Sequence, residues 1–358
     1  MAETLAMLLL IGLVALLTLV PLIKHDGWWV RGVEFPALQI TVLSWGALPI
    51  YVTLFGWDSI WDRAALAVLC GCSLLQLARI LPYTTLFPKQ IQRARQMRPK
   101  DQLNMVVANV LTPNRQSQAV LAMVRRCQPD LFLAVETDDW WQAELESLLP
   151  DYPYMVKHPL DNLYGIVLFS RLELQNTRVR FLVEEAVPSI HGDVILGSGH
   201  RVALHCLHPA PPSPSENPTS AERDGELLLV AKTLDPAAGS VVVMGDLNDV
   251  PWSPSLRLFQ KVSGLLDPRI GRGLFNTFHA GIPPLRWPLD HVFCSGDFTL
   301  VSFDRLGHVG SDHFPIQVVL QHTPRAQKVH PELVASVTET AEAQGKIDKV
   351  GADETALR

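Results

Sequence analysis

The chain of 358 residues is 48% hydrophobic and 18% charged, with a mean hydropathy of +0.16 and a formal net charge of −6, which is too apolar for an ordinary soluble enzyme. Part of it belongs in a membrane. The acidity argues against a chain whose main task is to grip nucleic acid through a basic face, and five cysteines without a C-x-x-C pair exclude a disulfide scaffold and a zinc ribbon.

The apolar residues are concentrated at the front. Leu5 to Ile23 is a run of 19 residues without a charge, and Phe35 to Trp57 is a second of 23. Each is long enough to cross a hydrocarbon core of about 30 Å. A third, weaker run from Ala64 to Leu81 carries Gln76 and Arg79 towards its end, where a long side chain can snorkel to the interface. A cleaved signal peptide is the competing reading of the first run, but Glu3 stands where positive charge is expected and the run is long for such a segment. Residues 1–85 therefore read as a membrane anchor of two to three transmembrane helices, and 86–100, with Lys89, Arg93, Arg95, Arg98 and Lys100, as a basic linker. With three spans, the positive-inside rule puts everything after residue 85 in the cytoplasm, as expected of a bacterial inner-membrane protein.

From residue 101 to 322 the texture changes to short β-branched runs alternating with helical patterns, an α/β domain. Strands are predicted at 103–111, 130–135, 164–170, 178–183, 201–208, 240–245, 289–294 and 314–320. Helices are predicted at 117–127, 138–149, 220–234 and 254–262. Thr219 with Glu222 reads as a capping box, and Ser253 before Pro254 as an N-cap with proline at the first helical position. Residues 323–358 lose aromatics and gain Ala, Glu, Thr and Lys, which predicts a disordered tail.

Polar residues cluster at the ends of the apolar strands. Asn109 ends one and Glu136 another; Asp246 and Asn248 follow a run of valines, Asp290 opens the run to Cys294, and Asp312 with His313 precedes Phe314. His208 closes the strand from 201. Taken singly, each is as well explained as a turn former or a helix cap. Together these carboxylates, amides and imidazoles are what a hard divalent cation and a proton relay require. Asp246 and Asn248, two apart, face the same side of an extended segment. A zinc cluster of His200, His205 and His208 is disfavoured, because alternation puts His205 and His208 on opposite faces. A calcium loop at Asp246 fails on Pro251 and Trp252, and no P-loop, nucleophile elbow or H-E-x-x-H is present.

The ordered set Gly245-Asp246-Leu247-Asn248 and Ser311-Asp312-His313, with Asn109 and Glu136 upstream and Asp290 between, resembles the endonuclease/exonuclease/phosphatase family over residues 101–322. The resemblance implies a four-layer α/β sandwich, two mixed β-sheets face to face with helices outside, that cleaves phosphoesters with Mg²⁺ or Mn²⁺. It implies that Glu136 binds the metal, that Asp312 adds a second carboxylate or holds a metal-bound water, and that Asn109 steers the metal or a phosphate oxygen. Asp246 then orients or deprotonates the attacking water, Asn248 donates to the phosphoryl oxygen, and His313 is general base or electrostatic stabiliser. Asp290 is the partner of His313 or of His208, and His208 fits a phosphate contact better than His205.

Two departures bear on substrate. Val135 precedes Glu136 where nucleases of the family often have glutamine, and residues 101–323 hold 16 Lys and Arg against 25 Asp and Glu. Arg171, Arg201 and Arg286 remain candidates for a local phosphate clamp, and Trp140, Trp141 and Trp252 for stacking or for packing. The expectation is an integral membrane phosphoesterase acting on a lipid, nucleotide or nucleic-acid phosphate ester. The alternatives are a DNA or RNA nuclease of the same fold, or a non-catalytic membrane-tethered binding module.

Overall fold

The computed structural model describes residues 2–352. Uninterrupted apolar sequence forms three long helices, α1 (Ala2–Leu19), α3 (Ala37–Phe55) and α4 (Ile60–Ile80), with a single turn α2 (Trp28–Arg31) in the first connection. The stretches Glu3–Leu22, Ala37–Phe55 and Ile60–Tyr83 are each long and apolar enough to cross a membrane. The third begins four residues before the predicted run, because Ser59 and Asp62 form a capping box that starts α4 at Ile60. Val14, Ile40, Ala47, Leu69 and Cys72 pack together between the helices. Gln76 is buried with them and donates to the Thr18 hydroxyl at 3.2 Å. Leu5, Leu9, Leu16, Val42, Leu43 and Leu74 are exposed outward and form a large apolar surface.

The rest of the chain runs β1 (Gln102–Asn109), α5 (Ser117–Cys127), β2 (Leu131–Val135), α6 (Asp139–Leu145), β3 (Tyr154–His158), β4 (Ile166–Ser170), β5 (Leu174–Arg180), β6 (Ser189–Ile195), β7 (Arg201–Leu207), α7 (Ala221–Thr233), β8 (Ser240–Asp246), α8 (Pro254–Ser263), β9 (Asp290–Cys294), β10 (Phe298–Arg305), β11 (Ile316–His322) and α9 (Val337–Lys349). Two mixed sheets result, with orders β10-β11-β1-β2-β4-β3 and β5-β6-β7-β8-β9. Their inner faces meet in a core that includes Met105, Val107, Leu133, Leu168, Leu204, Val242, Met244 and Val292. Helices α5 and α6 cover one sheet, and α7, α8 and α9 the other. This is the expected four-layer sandwich.

Three strands were not predicted. β3 is an edge strand of mixed polarity, β6 is interrupted by Gly192, and β10 carries a register irregularity between Leu300 and Ser302. The strand predicted at 178–183 lies at 174–180, where Arg178, Val179 and Arg180 pair with β6. The capping box predicted at Thr219 is not formed: Ser220 occupies the N-cap, and the Thr219 hydroxyl donates to the Glu222 carboxylate instead. Ser253 does cap α8, accepting from the Leu256 amide at 3.0 Å.

The segment 86–100 is more than a spacer. Ile91 is buried in the core between the sheets, and the Ala94 amide donates to the Leu300 carbonyl at 2.9 Å, so this segment covers the edge left open by β10. The expected tail also differs. α9 buries Ala343 and Ile347 against α7 and α8, and Lys346 bridges Asp26 and Asp224. These contacts, with the ion pairs Lys24–Glu342, Lys261–Glu339 and Lys349–Asp26 beside them, dock a helix that composition alone reads as mobile. The last part of that predicted tail, 353–358, lies outside the described residues.

The three apolar helices are joined to the sandwich at loops that border the strand ends. The Trp252 indole donates to the Glu34 carbonyl at 2.7 Å, and the Tyr83 hydroxyl to the Pro251 carbonyl at 2.7 Å. The Gln39 amide donates to the Pro284 carbonyl at 2.8 Å. Ala37, Ile80 and Tyr83 share a buried cluster with Val250, Trp252 and Leu289.

Candidate active site

Each sheet contains one parallel strand pair, and both pairs end at the same rim. β1 and β2 leave Asn109 and Glu136 there, since Asn109 stands across from Val135. β7 and β8 end at Leu207 and Asp246, and Asp246 stands across from Asp290 at the start of β9. Two glycines permit this closeness. A Cβ on Gly245, which has φ +150°, would lie 1.8 Å from the Leu207 carbonyl oxygen, and one on Gly165 would lie 1.8 Å from that of Thr137.

The Asn109 amide nitrogen donates to Glu136 Oε1 at 2.6 Å and to Asp246 Oδ2 at 3.1 Å, so one side chain links the two sheets across the rim. His313 Nδ1 lies 2.9 Å from Asp290 Oδ2 and 3.5 Å from Asp246 Oδ2. Asp246, Asp290 and His313 are all buried. Burial alone would push the imidazole down, but the Asp246 and Asp290 carboxylates outweigh it and hold His313 up at about 10. At neutral pH it is an imidazolium between two carboxylates. Burial pushes the Glu136 carboxyl up to about 7, against the hydrogen bond from Asn109. Asp246 is likewise raised by burial, against the neighbouring His313. His208 is driven down to about 4 by burial and is neutral, with Asp246 and His313 as its charged neighbours.

Of the predicted residues, Asn109, Glu136, Asp246, Asp290 and His313 thus form one connected group. Of its two candidate partners, Asp290 pairs with His313 and not with His208. Asp312 is half-buried at the rim; its carboxylate acts electrostatically on Glu136 and His313, and its carbonyl accepts from the Ala280 amide at 2.6 Å. Asn248 has φ +52° and uses one amide hydrogen on the Pro209 carbonyl at 3.0 Å. His208 is buried with an unpartnered Nδ1, whereas His205 Nδ1 lies 2.7 Å from His191 Nδ1 on another face. His200 is elsewhere too, stacked on His322 with ring centroids 3.6 Å apart.

The arginine clamp does not form. Arg171 lies over the Tyr152 ring, Arg201 lies 3.9 Å from Asp193, and Arg286 donates to the Ala280 and His279 carbonyls. Trp141 and Trp252 are buried packing residues whose indoles donate to the Leu111 and Glu34 carbonyls; Trp140 meets Trp141 edge to face, under Arg115. Two neighbours of the site were missed. Tyr164 lies 5.7 Å from the His208 ring and Phe278 lies 5.0 Å from the His313 ring. Tyr164 stands just before β4 at the same rim, a signal the sequence carried; Phe278 sits in a loop without periodicity.

A family model described as "Endonuclease/Exonuclease/phosphatase family" matches residues 106–313. The chain belongs to the endonuclease/exonuclease/phosphatase family. Members of this family are generally hydrolases acting on phosphoesters and depend on divalent metals. Among solved structures, D. rerio TDP2 complexed with single strand DNA product is similar at 15% identity and TM-score 0.51, covering 62% of this chain and 99% of that one. A family protein from Beutenbergia cavernae DSM 12333 is similar at 19% identity and TM-score 0.50, over 62% of this chain and 72% of that one. Another from Bacteroides vulgatus is similar at 16% identity and TM-score 0.50, over 62% and 99%. These identities speak for the fold. No curated protein matches the chain.

The residues present fit the family's metal. Glu136 Oε2 and Asp290 Oδ1 are buried carboxylate oxygens without a hydrogen-bond partner. Such oxygens cost free energy unless something positive meets them. The Asp246 and Asp290 carboxylates also bring oxygen atoms within 4.8 Å of one another, beside the His313 imidazolium. Oxygen donors of this kind suit a hard cation of the Mg²⁺ or Mn²⁺ class.

Proposed function

We propose that this chain is a membrane-anchored, divalent-metal-dependent phosphoesterase that hydrolyses a phosphodiester or phosphomonoester with an activated water. The observation that carries the reading is the buried link Glu136–Asn109–Asp246–His313–Asp290, in which a cation partner is wanted by the carboxylates and an imidazolium is already in place. Mg²⁺ or Mn²⁺ would be held by Glu136, with Asn109 and Asp312 beside it, and when bound would supply Lewis-acid stabilisation of a phosphoryl oxygen.

The chain's own residues do the remainder. Asp246, whose carboxyl is raised by burial, orients the attacking water and takes its proton as the new oxygen–phosphorus bond forms; the phosphorus–ester oxygen bond breaks and the leaving oxygen takes a proton from solvent water. Asn109 fixes Asp246 through its amide. His313 faces the charge that develops on the phosphoryl oxygens, and Asp290 holds its ring through Nδ1. Asn248 has a second amide hydrogen for the phosphoryl group. Neutral His208, with an unpartnered Nδ1, makes a further phosphate contact.

Membrane anchoring is supported by the three apolar helices, and a substrate near the bilayer surface by the bonds that tie the anchor to the loop after Asp246. With α1, α3 and α4 as spans, the basic segment 86–100 favours the sandwich on the cytoplasmic face of a bacterial inner membrane. A nuclease of the same fold is the second reading, favoured by the similar structure that holds single strand DNA. The excess of acids over bases in residues 101–323 weighs against a duplex-binding face.

The test uses the full chain in detergent, since Ile91 and α9 are part of the sandwich. With Mg²⁺ or Mn²⁺ it is assayed on a generic phosphodiester, a phosphomonoester, plasmid DNA and phospholipids, beside Asp246→Ala and His313→Ala. Hydrolysis of at least one class, lost in both variants, is expected; equal rates in all three proteins would reject the mechanism.

A further inference from the structure

A crevice of about 550 Å³ opens where the anchor meets the outer helices of the sandwich. One wall is Pro21 and Leu22 in the turn that follows α1, with Arg79 from the last turn of α4; the other is Trp252, Arg257 and Leu258. α1 and α4 both run towards the sandwich, so their final turns lie at the height where the hydrocarbon gives way to headgroups.

The charges on this crevice do not balance locally. Lys24 is paired with Glu342 at 3.2 Å, Lys261 with Glu339 at 2.5 Å, and Glu34 with Arg31 at 2.8 Å. Arg79 and Arg257 are left over. Among the described residues neither has a carboxylate within the 4.0 Å of an ion pair, Arg79 reaches only the Thr18 carbonyl at 3.5 Å, and Arg257 makes no side-chain hydrogen bond. Glu34 attracts Arg79 from beyond ion-pair distance, while Arg79 and Arg257 repel each other.

Two guanidinium groups sharing a crevice without an anion are unfavourable as they stand. Each offers a planar fork that matches phosphate oxygens. The apolar wall continues outward from exposed Leu22 to exposed Leu19 at the end of α1, a path suited to an acyl chain.

We propose that Arg79 and Arg257 bind the headgroup phosphate of an anionic phospholipid in this crevice. The proposal rests on the membrane-anchored reading and is independent of the catalytic one. An anionic headgroup matches two uncompensated cations, whereas a choline headgroup brings a third cation beside them. The crevice is distinct from the catalytic rim: none of Asn109, Glu136, Asp246, Asp290 and His313 lines it. A lipid here seats the sandwich at a fixed height on the bilayer.

The experiment is native mass spectrometry of the delipidated full chain in detergent, titrated with phosphatidylglycerol or phosphatidylcholine. Inorganic phosphate and glycerol phosphate serve as competitors, and Arg257→Gln and Arg79→Gln/Arg257→Gln as variants. Arg257 is exposed, so its replacement leaves folding and phosphoester hydrolysis unchanged. Phosphatidylglycerol should bind one site at least roughly tenfold tighter than phosphatidylcholine, the scale of one charge-assisted hydrogen bond, and both variants should abolish the preference. Equal binding of the two lipids, or a preference that survives in the double variant, overturns the proposal. Displacement of the lipid by inorganic phosphate at equal concentration also overturns it, because the free ion is then the ligand. Vesicle flotation after an alkaline wash separates the two levels. A chain that fails to float removes the anchor and this site together; one that floats without lipid preference removes only the site.

Discussion

Replacing Asp290 with asparagine removes one charge and almost no volume. Asp290 accepts from His313 Nδ1 at 2.9 Å through Oδ2, while Oδ1 is buried without a partner. An asparagine carbonyl can accept the same hydrogen bond, so the fold should survive with a cost of about 1–2 kcal/mol, the difference between a charged and a neutral hydrogen bond. Catalysis should suffer more. His313 is held up at about 10 by Asp246 and Asp290 together, against burial that drives it down. With only Asp246 left, at 3.5 Å, the imidazolium is less favoured and its ring less firmly held. The rate constant should fall on the order of 10²–10⁴-fold, the usual contribution of a positioned acid–base group, with KM little changed. Steady-state hydrolysis of a soluble phosphodiester by the full chain measures this. A rate within about threefold of wild type would show that the Asp290–His313 pair is structural.

Two further outcomes follow from the packing. Gly245→Ala places a Cβ 1.8 Å from the Leu207 carbonyl at φ +150°, so β7 and β8 must separate beside His208 and Asp246; the cost should be about 4 kcal/mol or more, a fall of roughly 8–16 °C in Tm by tryptophan fluorescence, and a fall under about 2 °C would contradict the β7–β8 register. Asp26 is held down at about 2 because Lys349 and Lys346 outweigh the burial that raises it. A depressed carboxyl contributes stability that is complete above its ordinary value near 3.8 and is lost as pH falls through about 2. Hydrogen exchange in α9 should therefore rise between about pH 4 and 2, and Asp26→Asn should show raised exchange already at about pH 6; identical profiles in both proteins would refute the docking role.

Much of the site was legible because its residues end strands that are continuous apolar runs. Val106, Val107 and Ala108 lead to Asn109, Leu133 to Val135 lead to Glu136, and Val241 to Met244 lead to Asp246; a polar residue after such a run has little choice but the rim. The partner of His313 was not legible, since Asp290 lies 23 residues away and register alone decides between His313 and His208. β6 and β10 escaped because Gly192 and an irregular register break the period-two pattern. The docking of the N-terminal helices onto Pro251 and Trp252, and of α9 onto α7, depends on pairings between distant segments that leave no local periodicity.

The central claim is that Glu136 and its neighbours hold a divalent cation. Calorimetric titration of Mn²⁺ into the full chain, beside Glu136→Gln, tests it most directly. One site in wild type, weakened at least roughly tenfold by loss of the carboxylate charge and accompanied by a matching loss of hydrolysis, is the predicted result. Equal Mn²⁺ affinity in the two proteins would contradict that claim.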